Sequence, residues 1–322
     1  MSLKTVIDTI RKYDKFLITA HVNPEADALG SQLAFYELIK GLGKKPVCVD
    51  NDKVPPHYKF LPGIENIKQT LKKREDFEVA VVLDCPTINR TGKVKNLLKK
   101  AKIIVNIDHH ISNSKFGDVN WVDSSASSAG EMVYTLYKKI DVEISKKIAL
   151  YIYIAILTDT GSFNYSNTSS VTHEIVSDLL GYGLQPQDIS GFIYENKKIS
   201  DIKLLGKVIS TLRTDKNNRI AYMVCTKDML EKAGSAASAT ENFINFAKSI
   251  EGIDIAIFIK EDLTSSDKFN ISLRSKGDID VNKMAFFFGG GGHKNAAGCV
   301  IRGTLAGVKR KIVAKAKEVL RK

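Results

Sequence analysis

Four short β-rich apolar runs, separated by charged helix-forming sequence, constrain the first half of this chain more than any other feature. They are residues 16–20 (Phe-Leu-Ile-Thr-Ala), 47–49, 79–83 and 103–107. Strands that read as unbroken apolar runs are buried on both faces. Strands alternating with helices predict a parallel sheet in an α/β layer. Residues 28–41 read as a crossover helix with Leu29, Leu33 and Tyr36 on one face, ended by Gly41 and Gly43. Ser128 and Glu131 form a capping-box pair ahead of an apolar helix, and residues 144–158 read as a second, largely buried helix.

The stretch 181–191, with Pro186, Gln187 and Asp188, opens a less apolar helix-forming segment that runs to about Gly206. Strands at 221–225, 255–259 and 269–273, with a Ser/Ala-rich loop at 234–240, then predict a second α/β unit. At 322 residues the chain exceeds the usual size of one domain. The expected division is 1–182, a helical linker 183–206, and 207–322.

With 43% hydrophobic and 26% charged residues the composition is that of a globular protein rather than a disordered or fibrous one. The formal charge, 48 − 36 = +12, favours a polyanionic ligand, although many lysines lie in solvated helical stretches such as 95–102 and 309–322. Cys48, Cys85, Cys225 and Cys299 form no C-x-x-C pair and are expected to be reduced core residues. No apolar run suits a signal peptide or reaches the roughly 18 residues of a membrane span. A cytoplasmic protein with no membrane association is the expectation.

Polar motifs sit just past the apolar runs, where open α/β sheets place ligand sites. They are His21-Val-Asn-Pro-Glu25-Ala-Asp27, then Asp84, then Asp108-His109-His110, and Asp159 at the end of an apolar helix. In the first, Pro24 and Gly30 suit a tight loop feeding a helix. One carboxylate after a strand is usually a cap or turn former. Here three of the six histidines fall in the same motifs, so scattered core histidines do not account for the pattern. Carboxylates gathered in one place repel unless cations lie among them. Oxygen and imidazole donors without thiolate suit Mn²⁺ best, with Mg²⁺, Co²⁺ or Zn²⁺ as further occupants. Two ions about 4 Å apart would share a carboxylate and a water able to attack phosphorus.

The second half adds Ser272-Leu-Arg274 at a strand end and Gly289-Gly290-Gly291-Gly292-His293. Four consecutive glycines let a backbone approach an anion closely, and His293 and Arg274 favour a phosphate or nucleotide there. Trp121 and Phe163 could stack on a base, with core packing the stronger reading.

His21-x-Asn-Pro-x-x-Asp27-Ala-Leu-Gly30-Ser31, Asp84, Asp108-His109-His110 and Thr158-Asp159-Thr160-Gly161 resemble the motifs of the DHH phosphoesterases, and Gly289–Gly298 resembles the glycine-rich motif of their DHHA1 domain. The two-domain arrangement looks most like the stand-alone oligoribonucleases of the NrnA type, which degrade very short RNAs and dephosphorylate 3′-phosphoadenosine 5′-phosphate. The resemblance implies a Rossmann-like parallel-sheet DHH domain joined to a smaller α/β DHHA1 domain. It implies that His21, Glu25 and Asp84 hold one divalent ion, and that Asp27, Asp84, His109 and Asp159 hold the other, with Asp84 as the bridge. Asp108 would give support from behind, and His110 would face the scissile phosphate. Arg90, Ser272, Arg274, His293 and the backbone of Gly290, Gly291 and Gly292 would bind substrate. A homodimer is also implied. The family usually carries Asp where this chain has Glu25, so one ligand is a methylene longer.

The leading expectation is a metal-dependent hydrolase of short RNA or DNA oligonucleotides and nucleotide phosphates. Hydrolysis of pApA or cyclic dinucleotides is an alternative. A nucleic-acid-binding protein with a decayed metal site is a third reading.

Overall fold

The computed structural model describes residues 3–71, 76–195, 197–240 and 242–321. It divides into two compact units, Met1–Asn196 and Lys197–Lys322, each with its own apolar core.

The first unit is built on β1 (Lys15–Thr19), β2 (Lys45–Val49), β3 (Ile67–Lys68), β4 (Val79–Leu83), β5 (Ile103–Asp108) and β6 (Val119–Val122). They form one sheet in the order β3-β2-β1-β4-β5-β6, and every pairing is parallel. Strand order reverses direction between β1 and β4, which leaves a crevice beyond their carboxyl ends. The four strands expected from sequence are present; β3 and β6, of two and four residues, carry too little apolar pattern to stand out.

The first six helices of this unit are α1 (Leu3–Lys12), α2 (Ala26–Gly41), α3 (Lys95–Leu98), α4 (Ala129–Ile140), α5 (Lys146–Asp159) and α6 (Ser170–Leu180). The expected single apolar face on α2 is too narrow a description: Ala28, Leu29, Leu33, Ala34, Phe35 and Leu38 are all buried, while Tyr36 is only half-buried. Gly30 explains the close covering. A Cβ there would stand 2.4 Å from the Tyr151 carbonyl oxygen of α5, so the glycine serves helix contact rather than the loop before it. The expected capping box at Ser128 forms by half. The Ser128 hydroxyl accepts from the Glu131 N–H at 3.1 Å, but the Glu131 carboxylate accepts from the Ser127 hydroxyl instead.

The segment expected as a linker folds into α7 (Pro186–Tyr194), with proline in its first turn, and α8 (Ile199–Ile209). The second unit holds β7 (Arg213–Thr214), β8 (Ile220–Cys225), β9 (Ile255–Glu261), β10 (Lys268–Ser275), β11 (Gly291–His293) and β12 (Ala296–Arg302). They make one mixed sheet in the order β11-β12-β10-β9-β8-β7, in which only β8 and β9 run parallel. The helices α9 (Lys227–Ala233), α10 (Ile244–Lys248), α11 (Val281–Phe287) and α12 (Leu305–Val319) complete the unit. The Ser/Ala-rich stretch is more ordered than a loop: Gly234 closes α9 in the left-handed conformation, and Ala237–Thr240 is a 3-10 turn.

Candidate metal centre

Each acidic or imidazole side chain singled out in the first unit lies at an element end along the crevice. His21 follows β1, Asp84 follows β4, and Asp108 ends β5 with His109 and His110 just after it. Asp27 lies in the first turn of α2, and Asp159 is the last residue of α5. Asp84 is the hub. Its Oδ2 is 3.3 Å from His21 Nε2, and its Oδ1 is 3.5 Å from His109 Nε2 and 3.6 Å from His110 Nδ1. His109 Nε2 also lies 3.6 Å from Asp27 Oδ2 and 3.5 Å from Asp159 Oδ2. Ligand atoms of Asp27, His109 and Asp159 fall within 4.8 Å of one another, and so do those of Asp84, Asp108, His109 and His110.

The backbone enforces this convergence. Asp84 adopts φ 50°, a left-handed conformation that aspartate tolerates better than most residues. Its N–H donates to the Ile107 carbonyl at 3.0 Å, which ties the end of β4 to that of β5. Asp27 accepts from the Ala129 and Gly130 N–H groups at 2.8 and 2.9 Å, so the positive end of α4 supports its charge. Asp108 is fully buried and uses both oxygens: His110 Nδ1 donates to one at 2.8 Å, and Asn113 Nδ2 donates to the other at 2.5 Å.

Protonation in the cluster is contested by neighbours of the same sign. Burial, then the charges of Asp84 and Asp159, push Asp27 well above the ordinary carboxylate range. Burial, only partly relieved by His109, pushes Asp159 up to about 6. Burial also works against ionised Asp84, but the imidazoles of His109 and His21 facing it outweigh that and hold the carboxyl well below the usual range. Burial disfavours charge on His109, yet Asp159, Asp84 and Asp27 together push it well up.

These donors fit a divalent cation. Asp159 Oδ2 is buried and has no hydrogen-bond partner among the described residues, although a cationic imidazole would be its natural partner. The separations of 3.3 to 3.6 Å around His21 and His109 exceed good N–H···O geometry. Carboxylate and imidazole donors without sulfur select borderline or hard ions. Cys85 does not join, because its Sγ donates to the Thr87 carbonyl at 3.2 Å.

Residues 15–156 match the DHH family, N-terminal domain, and residues 217–322 match the DHHA1 domain. The chain is 31% identical over 287 residues to the bifunctional oligoribonuclease and PAP phosphatase NrnA of Thermus thermophilus, covering 89% of this chain and 84% of that protein. It is 30% identical over 299 residues to the protein of the same name from Bacillus subtilis, covering 92% of each. This chain belongs to the DHH phosphoesterase family. A crystal structure of an exopolyphosphatase-related protein from Bacteroides fragilis superposes with a TM-score of 0.86 at 28% identity, covering 99% of this chain and 96% of that one.

In this DHH chain Glu25 stands apart from the tight cluster. It is exposed at the N-cap of α2, near enough for its charge to raise Asp159. Arg90 is also exposed at the rim, where its carbonyl accepts from the Val22 N–H at 2.7 Å and its charge disfavours protonated His21. Trp121 and Phe163 pack against the apolar core. In the DHHA1 unit, His293 pairs opposite Ala296 and Ala296 opposite Arg274, so His293 and Arg274 share one sheet face, with Ser272 on the same face two residues along β10. Arg274 Nε is buried without a hydrogen-bond partner among the described residues. Gly289 and Gly292 have φ of 75° and 149°. A Cβ on Gly290 would meet the Gly298 carbonyl at 2.1 Å, and one on Gly292 the Ala296 carbonyl at 2.4 Å, so close pairing with β12 already requires glycine there. Gly291 has no such close neighbour.

Several supporting residues escaped the reading of the sequence. Asp50, after β2, is almost fully buried and accepts from Thr19 Oγ1 and the Ala20 N–H, both at 3.2 Å, and from Gln32 Nε2 at 3.0 Å. It thereby fixes the residue before His21 and the middle of α2. Asn106 donates to the Val82 and Cys85 carbonyls at 3.2 Å and accepts from Asn113 at 2.8 Å. An asparagine inside the apolar run of β5 was the available signal.

Proposed function

We propose that this protein is a divalent-metal phosphohydrolase of short oligonucleotides that also removes a phosphate from 3′-phosphoadenosine 5′-phosphate. The observation that carries the reading is the convergence of His21, His109 and His110 on Asp84, with Asp27 and Asp159 sharing His109. The two activities are those in the names of the Thermus and Bacillus relatives, which this chain matches over at least 84% of their length.

His21, Glu25 and Asp84 would hold one ion and Asp27, Asp84, His109 and Asp159 the other, with Mn²⁺ the occupant best suited to these donors. Bound ions supply an acidic water and neutralise charge on phosphoryl oxygens. The other roles belong to the chain. Asp108 accepts the Nδ1 proton of His110, which orients the ring so that Nε2, when it too carries a proton, donates to a phosphoryl oxygen as the ester bond breaks. Asn113 holds Asp108 in turn. Arg90 beside His21 suits a substrate phosphate. Ser272, Arg274, His293 and the Gly290–Gly292 backbone would grip the nucleotide terminus.

End-labelled RNAs of two to about twenty-four nucleotides, assayed with Mn²⁺ beside the adenosine bisphosphate, test the substrate assignment. Rapid loss of the shortest RNAs together with phosphate release supports it. Cleavage of dinucleotides alone would replace it with second-messenger hydrolysis, and RNA binding without metal-dependent product would replace it with a binding protein.

A further inference from the structure

The outward face of α11 carries a feature the catalytic reading does not use. Val281, Met284 and Ala285 are buried beneath this helix, whereas Phe286 is 78% and Phe287 64% exposed. The Lys283 side chain, one turn earlier, is 83% exposed. Two adjacent exposed rings on one short helix are an unusual use of apolar area. Phe287 is held in place: Lys315 Nζ of α12 lies 4.0 Å from its ring centroid, and the Phe288 ring meets it edge-on at 5.0 Å. Phe286, the residue before Phe287, is the more exposed of the two rings.

The surroundings select an anion. From Leu305 to Arg321 the chain has six basic residues against one acidic residue, Glu318, which pairs with Lys315 at 3.0 Å; Lys311, one turn before Lys315, lies on the same side of α12. A second copy of the chain would set these like charges against each other, whereas a polyanion with π faces would satisfy both the lysines and the rings. The helix also runs straight into the glycine stretch, where the Gly290 N–H donates to the Ala285 carbonyl at 2.9 Å.

We propose that α11 and α12 form an accessory single-strand binding surface, on which a base of the oligonucleotide stacks on Phe286 while the basic side chains of α12 contact its phosphates. This rests on the oligonucleotide reading for the class of ligand. It adds a site that longer chains occupy and dinucleotides do not need.

The test measures binding of fluorescent single-stranded RNAs of two and about twelve nucleotides in excess chelator, so that turnover plays no part, for wild type, Phe286→Ala and Lys311→Glu. Phe286→Ala is expected to bind the longer RNA roughly five-fold or more weakly, the smallest effect of losing one stacked base, with dinucleotide binding unchanged. Lys311→Glu should weaken it further at low salt and flatten its salt dependence. Unchanged affinity of both variants for the longer RNA would overturn the proposal while leaving the hydrolase intact. Loss of binding to vesicles of anionic lipid, or of self-association in sedimentation, with RNA affinity untouched would also overturn it, in favour of a membrane or a second copy. A wild type that binds the RNA through Phe286 yet hydrolyses none with Mn²⁺ would instead strike at the proposed function.

Discussion

At Asp84 the backbone and the side chain impose separate demands, and the choice of substitution decides which one is probed. Its left-handed φ of 50° suits asparagine as well as aspartate, so Asp84→Asn removes charge with little added strain, whereas alanine there would mix both effects. Asp108 allows a different experiment, because both its oxygens are spent on His110 and Asn113. Asp108→Asn should lower the rate or metal affinity about 10- to 100-fold; isothermal titration with Mn²⁺ and a rate measurement check this, and wild-type values for both would contradict a positioning role. Glu25→Ala should lower metal content and rate, measured by elemental analysis and turnover. Unchanged values would remove Glu25 from the ligand set. The ligand-type residues were legible because they follow apolar runs, but Asp50 was not: in Val-Asp-Asn-Asp-Lys it reads as turn former, and only the fold reveals its buried bonds to Thr19, Ala20 and Gln32.

Among the elements, the approach of α2 to α5 brings Asp27 and Asp159 to a common imidazole. Gly30 permits that approach, and Gly130 does the same for α4, where a Cβ would lie 2.4 Å from the Ala155 Cβ. Gly30→Ala should destabilise the protein by about 1–3 kcal/mol in urea unfolding and depress turnover beyond the loss of folded protein. Full stability with full activity would show that the helices can part at no cost. On α6, Asp178 accepts from the Tyr134 hydroxyl at 2.7 Å and lies 3.1 Å from Lys138 Nζ, and these contacts hold its carboxyl below the ordinary range. A depressed carboxyl stabilises the fold above its unfolded pKa and ceases to do so as pH falls through the folded value. Asp178→Asn should therefore lower Tm slightly at pH 7, with the difference shrinking as pH falls past about 4 and gone once it is below the folded value. Long buried strands were readable from sequence because apolar continuity is strong there. β12 was not, since Ala-Ala-Gly opens it and its pairing depends on β10 and β11, far away or too short to signal themselves.

For the molecule as a whole, the two domain matches fall one in each of the two compact units. A net charge of +12 predicts that affinity for RNA falls linearly on a log–log salt plot, more steeply for chains that reach more phosphates. A flat plot would deny the charge any part in binding. The switch point between β1 and β4 follows from strand order, which sequence alone could not supply because nothing in an apolar run names its neighbours. Metal-dependent hydrolysis is the activity proposed for the cluster at this point. Its most direct test is the rate of mononucleotide release from an end-labelled RNA a few nucleotides long, with Mn²⁺, for wild type and Asp84→Asn in parallel. Rapid release by wild type, abolished by chelation and at least about 10³-fold slower in the variant, is the predicted result. Release that survives chelation, or an Asp84→Asn variant as fast as wild type, would contradict it.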